Sequence, residues 1–320
     1  MKNQELIKKV TGEIVPLPAQ YNDDLSLSLE KMKEHLDFLL GKGVKNIYLA
    51  LSASEFEAMT TEERLKVTEM AVKQAKAKAT ILAQPVGDRW FRGQAKEAKA
   101  MVELGADILV VKLMDLKDSQ KFFSSSYRRN GYKPKHHEDF FVDVIRQIGK
   151  ISGGKIILHD KPFRSFDYLD KIVSLDCVVG IKTHEEDPYK RHELYSRYGS
   201  DYICFDGMGK TNQFWSLTWG ACARHSCWSW FDPVTDQKFT RAVKSGEHKE
   251  ALAIIDKEWP VVDAILSTGF AGYKEIMRLV GLPSSSVRIA GSDISSQEKE
   301  MIKKAAIKSG LLKQSLAVNA

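Results

Sequence analysis

The chain has 320 residues, of which 43% are hydrophobic and 28% charged, with a formal net charge of +6 at pH 7. These values suit a soluble globular protein with a substantial core, arranged as one barrel with additions or as two ordinary domains. The positive charge is spread out, with no basic block, no aromatic-basic repeat, no signal-length apolar core and no run of about 18 apolar residues, so a cytoplasmic protein without nucleic-acid or membrane partners is expected.

Strand-like apolar runs alternate with helical patterns along the chain. The first run is Glu13–Pro18, followed by an amphipathic helix from about Leu27 to Leu40 that Gly41 and Gly43 stop. Asn46–Leu51 is the second run, and Thr60-Thr61-Glu62-Glu63 opens the next helix with the hydroxyl and acids of an N-terminal cap. Thr80–Gln84 is the third, with a helix from Gly93 to Leu104 behind it, and Ala106–Lys112 is the fourth. The pattern then breaks over Asp115–Lys135, a polar, aromatic and basic stretch too long for an ordinary connection, which reads as a loop covering a substrate. After a helix from His137 to Lys150 come the fifth run, Lys155–Asp160, the sixth, Leu175–Lys182, and the seventh, Asp201–Asp206. An eighth belongs within Gly220–Trp228, and helical patterns fill Thr235 to the end, interrupted at Gly269, at Gly281-Leu282-Pro283 and near Ser292. Eight strands separated by helices predict a closed parallel (β/α)8 barrel over residues 1–234, with residues 235–320 as a C-terminal helical extension packed on it. No glycine-rich phosphate fingerprint follows the first strand to favour a doubly wound sheet.

The four cysteines, Cys177, Cys204, Cys222 and Cys227, lie in apolar or strand-like surroundings and read as reduced core thiols. Cys222, His225 and Cys227 are close enough to raise a metal site, but no second ligand pair at finger-like spacing accompanies them, so neither metal nor cofactor is expected.

The sixth run, Val178-Val179-Gly180-Ile181-Lys182, ends abruptly on a lysine. In a barrel, the carboxyl end of a strand faces the active site, and a lysine among apolar walls loses solvation for its ammonium form, which frees the amine to attack a ketone. The plainer alternative is one half of an ion pair. If Lys182 points inward, so do Gly180 and Val178, and the glycine leaves room for a ligand or a neighbouring side chain. The other strand ends deliver Ser52, Ser54 and Glu55, Lys112, His159 with Asp160, Lys161 and Arg164, and Asp206 with Gly207, a positive mouth suited to a carboxylate substrate. His159 reads either as a proton carrier or as a buried structural histidine.

These residues resemble the dihydrodipicolinate synthase/N-acetylneuraminate lyase family of pyruvate-type class I aldolases. The likeness runs from Gly12-Glu13-Ile14-Val15-Pro16 through Glu103-Leu104-Gly105-Ala106-Asp107 to Lys274-Glu275-Ile276-Met277 and Gly281-Leu282-Pro283, and its most specific piece is Val179-Gly180-Ile181-Lys182. The resemblance implies that Lys182 condenses with the ketone of a 2-oxo acid such as pyruvate or a 2-keto-3-deoxy sugar acid. The family's carboxylate-binding glycine-threonine-threonine-glycine-glutamate loop is represented by Leu51-Ser52-Ala53-Ser54-Glu55, which places Ser52, Ala53 and Ser54 on the substrate. The family's catalytic tyrosine falls on His159, Arg164 matches an arginine that meets a distal carboxylate, and Asp206 and Gly207 complete the expected substrate contacts. A second family tyrosine has no counterpart at Met114-Asp115-Leu116, where Tyr127 or Tyr132 of the insertion is the candidate substitute. The expectation is a homo-oligomeric (dimeric or tetrameric) lyase, an aldolase or dehydratase. The alternatives are a ligand-binding barrel that has lost its proton relay and a metal-assisted aldolase using His159, Asp206 and His184.

Overall fold

Eight short runs, apolar on both faces, become eight strands buried almost throughout, as parallel strands covered by helices must be. They are β1 Gly12–Pro16, β2 Asn46–Leu49, β3 Thr80–Ala83, β4 Ile108–Lys112, β5 Ile156–Asp160, β6 Val178–Thr183, β7 Ile203–Asp206 and β8 Ala223–His225. In the computed structural model, which describes residues 3–87, 91–112, 137–160, 165–289 and 292–312, they pair in chain order into a closed barrel. Gly12 of β1 pairs in parallel with Ala223 of β8 to close it. The insertion around Asp115–Lys135, with Tyr127 and Tyr132, and the Lys161–Arg164 segment lie outside the described residues.

The short helix α1, Gln4–Lys9, precedes β1, and a helix follows each strand: α2 Leu29–Gly41, α3 Thr61–Ala75, α4 Phe91–Glu103, α5 His137–Ser152, α6 Phe166–Val173, α7 Pro188–Tyr198, α8 Lys210–Thr218 and α9 Pro233–Lys244. The predicted cap of α3 is a full capping box: Thr60 Oγ1 accepts from the Glu63 amide, and the Glu63 carboxylate accepts from the Thr60 amide. Because α9 packs on β1 and α8, it is the eighth helix of the barrel. The extension therefore begins with α10, His248–Leu279, rather than at residue 235, and ends with α11, Ser296–Lys308. Gly269, at φ 57° and ψ −143°, breaks α10 at the predicted interruption.

The room expected at Gly180 is filled by the neighbouring strand. A Cβ there would lie 2.2 Å from the Ile203 carbonyl oxygen of β7, so the glycine permits close strand approach and does not open a ligand space.

The extension is pinned to the barrel mouth by buried charge. Glu55, in the left-handed region at φ 51°, pairs with Lys274 of α10 at 2.6 Å, and its other oxygen accepts from the Arg288 amide at 2.9 Å. Arg288 also bonds Glu63 and stacks over Tyr21 at 4.3 Å. The loop after β2 is thus held from outside the barrel.

Candidate active site

Lys182 and His159 are partners in the β5–β6 register, and both stand at the carboxyl ends of their strands. Lys182 is only 4% exposed; its ammonium lies 4.9 Å from the centre of the Tyr48 ring and 5.9 Å from that of Phe205. Tyr48 is fixed from β2 by donating its hydroxyl to Gln84 Oε1 at 2.5 Å, and the same oxygen accepts from the Leu51 amide at 3.0 Å. The amine from β6 is therefore walled by Phe205 of the neighbouring β7 and by Tyr48 of β2 across the barrel, and β2 also leads into the loop over it.

Three imidazoles surround this lysine. His159 Nε2 and His184 Nδ1 are 3.1 Å apart, one donating and the other accepting, with the rings stacked at 4.9 Å and 27°. His225, at the end of β8, faces the edge of Tyr48 with ring centres 5.8 Å apart. Burial, then the charges of Lys182, His184, Lys112 and His225, hold the His159 imidazole well below its usual pKa. Burial, then Lys182, His184 and Arg224, do the same for His225. His159 Nδ1 and His225 Nε2 have no hydrogen-bond partner among the described residues.

Gly207 makes this packing possible, since a Cβ at that position would lie 2.3 Å from the His184 ring. Behind the site, Gln213 donates to the His225 carbonyl at 2.7 Å and to Met208, and accepts from Arg224 at 3.1 Å. Arg224 and Asp236 form a wholly buried ion pair at 2.5 Å. Burial alone would raise the Asp236 carboxyl, but Arg224 and Lys210 hold it well below the carboxylate range.

The cavity above Lys182 holds about 580 Å³ and is lined on the barrel side by Ser52, Ala53, Lys112, His159, His184, Gly207 and His225. Two expected contacts are absent from that lining. The Ser54 hydroxyl accepts from the Ala50 amide at 3.0 Å and donates to the Tyr48 carbonyl at 3.2 Å, so it braces its own turn. Asp206 accepts from the Met208 amide at 2.6 Å and from Ser216 Oγ at 2.5 Å, which sets the turn after β7. Arg164 lies outside the described residues. Among those residues no cluster of three or more His, Cys, Asp or Glu could hold a metal ion, and none of the four cysteines is in a disulfide.

Sequence reading brought His184 to His159 only in the metal-assisted alternative, not as a stacked pair, and missed the inward roles of Tyr48 and His225. The signals were present, because Tyr48 lies on the apolar alternation of β2 and His225 ends β8 as Lys182 nearly ends β6. It also missed Glu258 of α10, which no local pattern connects to the barrel. Glu258 lines the cavity and binds Lys210 through both oxygens at 2.6 Å. Burial pushes its carboxyl up to about 7, with Lys210 opposing and Asp236 reinforcing the shift. Because the folded value exceeds the unfolded one, the native state holds this proton more tightly. The stability advantage of the wild type over Glu258→Gln should therefore be fully present below about pH 4.5 and fall as pH rises to about 7. The total loss is on the order of 3 kcal/mol, readable from urea unfolding of both proteins across that range.

Fold and site together define a (β/α)8 barrel whose cavity is built around a buried strand-end lysine. The chain belongs to the dihydrodipicolinate synthetase family, whose model matches residues 9–112 and 133–309. It is 24% identical over 296 residues to a 4-hydroxy-tetrahydrodipicolinate synthase from Rhodopseudomonas palustris, covering 90% of this chain and 93% of that one. The crystal structure of N-acetylneuraminate lyase from Fusobacterium nucleatum complexed with pyruvate superposes with a TM-score of 0.80 at 19% identity, covering 94% of this chain and 97% of that one. A catalytic lysine mutant of a sialic acid aldolase from Ruminococcus gnavus superposes with a TM-score of 0.83 at 19% identity, covering 99% of this chain and 100% of that one. At these identities the structural likeness establishes the shared fold. No helix among the described residues is long and apolar enough to cross a membrane.

Proposed function

We propose that the protein is a Schiff-base lyase acting on a 2-oxo acid, with Lys182 as the nucleophile. The observation that carries this reading is the position of Lys182, 4% exposed at the end of β6, paired in register with His159 and facing a cavity. Its support from relatives is that one is described with a catalytic lysine and another in complex with pyruvate.

In this reading the Lys182 amine adds to the ketone carbon, the carbinolamine loses water, and the protonated imine withdraws electrons from the adjacent C3. Loss of a C3 proton gives an enamine that attacks an aldehyde, and the reverse sequence cleaves the same bond; loss of a leaving hydroxyl from the chain would be the dehydratase variant. Ser52 and the loop amides after β2 hold the oxo-acid carboxylate.

His159 replaces a phenol as proton carrier. As a neutral imidazole it accepts a proton on one nitrogen while releasing one from the other toward His184, so the pair moves a proton without either ring becoming a stable cation. Because burial and the neighbouring cations hold its pKa well below the usual imidazole value, His159 stays in the base form at neutral pH and is lost as a base only on stronger acidification than an ordinary histidine needs. The acid limb of kcat should accordingly lie on the acid side of an ordinary histidine's titration, and His159→Asn should lower kcat by about 10²–10⁴-fold while still forming the imine.

The test of the class is borohydride reduction of the protein with pyruvate, followed by peptide mapping. A reduced adduct on Lys182 supports the lyase. Absence of an adduct with pyruvate and with other 2-oxo acids would overturn it in favour of a ligand-binding barrel.

A further inference from the structure

The cavity has two chemically different ends. Around Lys182 its lining is polar and carried by the barrel, whereas the opposite wall belongs to α10 and consists chiefly of Ile255, Trp259, Val262, Leu266, Phe270 and Tyr273. The break at Gly269 turns the helix there, so that segments before and after it both face the cavity, and a Cβ on Gly269 would meet nothing within 4 Å. Two of these side chains remain largely uncovered, Trp259 at 51% and Leu266 at 74% exposure, although they border a site. Large apolar groups left facing water at the edge of a pocket are characteristic of a surface that an apolar ligand covers.

The charged groups at this end do not alter its character. Lys210 is engaged by both oxygens of Glu258 at 2.6 Å and by Asp236 at 3.0 Å, and its ammonium also lies 4.9 Å from the Trp228 ring centre. A polyhydroxylated chain entering here would exchange water for hydrocarbon and aromatic edges, and each hydroxyl left unpaired costs desolvation energy. An aryl or alkyl chain gains from the same wall.

We infer that the substrate carbon chain beyond the oxo-acid group carries an apolar tail of aromatic size, seated on Trp259, Leu266 and Phe270, in place of a sugar-like chain. This rests on the Schiff-base reading for which end of the cavity reacts, and makes Trp259 and Phe270 specificity-determining residues.

The test uses two probes that cannot form an imine, 4-phenylbutanoate and gluconate, titrated calorimetrically into the full-length protein. The expected result is that 4-phenylbutanoate binds at least about tenfold more tightly, the scale set by removing a phenyl ring's apolar surface from water. Trp259→Ala should erase most of that preference. Leu252→Ala, which truncates an exposed α10 side chain that does not line the cavity, should keep it. Equal or tighter binding of gluconate, or unchanged 4-phenylbutanoate binding by Trp259→Ala, overturns the inference. Pyruvate trapping on the same preparation separates the two readings. Selective 4-phenylbutanoate binding without a Lys182 adduct ends the Schiff-base reading alone, whereas an adduct without selectivity ends the apolar-tail inference alone.

Discussion

Lys182→Ala is expected to lower kcat by at least about 10⁴-fold, on the order of the loss when a covalent nucleophile is removed, and to abolish the reduced pyruvate adduct. The reason is that the imidazoles of His159, His184 and His225 can move protons but cannot form the protonated imine, and Lys112, a barrel-side amine that also lines the cavity, stands on β4 and not at the Lys182 position. The fold should survive, because Lys182 lies on a strand whose ladder bonds to β5 and β7 involve the backbone alone. Lys182→Met, which keeps the length of the chain against Tyr48 and Phe205, controls for lost packing. Near-native circular dichroism with no turnover in both variants is the expected outcome. Turnover above about 1% of wild type in either one would remove Lys182 from the mechanism.

The second large effect is on stability. Asp236→Ala should cost about 3–5 kcal/mol, the range for deleting one partner of a buried ion pair, measured as a lowered urea midpoint. The carboxylate is held at once by Arg224 at 2.5 Å, Lys210 at 3.0 Å and the Ser229 hydroxyl at 2.5 Å, and Arg224 in turn donates to Thr240 at 2.8 Å. Removing it leaves a fully buried guanidinium with too few acceptors. The double variant Arg224→Met, Asp236→Leu should recover part of the loss by replacing both charges with apolar groups of similar volume. If the single variant costs less than about 1 kcal/mol, the pair is not what holds α9 to β8.

The same pair connects stability to the site. Arg224 and His225 are consecutive residues of β8 that point to opposite faces, and Gln213 touches both the guanidinium and the His225 carbonyl. Loosening Arg224 should therefore disturb His225 and the turn at Met208 before the barrel as a whole unfolds.

The eight strands were legible because each is a short apolar run with turn or helix signals at its ends, and that pattern is written residue by residue. Lys182 and His159 were legible for the same reason, since a polar residue ending an apolar strand marks the barrel mouth. The family resemblance strengthened the choice of Lys182 without showing its surroundings. Ser54 and Asp206 were misplaced because strand-end position says which rim a residue occupies but not which way its side chain turns. Local backbone amides captured both: Ala50 donates to Ser54, and Met208 to Asp206.

By itself, then, the sequence determined the barrel, the count and order of its strands, and the lysine at its mouth, because these depend on periodicity and composition within some ten residues. Only the tertiary structure decided that His184 stacks on His159, that Lys274 reaches Glu55 across 219 residues of chain, and that α10 supplies an apolar wall opposite Lys182. Those contacts arise from packing between distant segments, where burial and charge pairing act through space and leave no periodic trace along the chain.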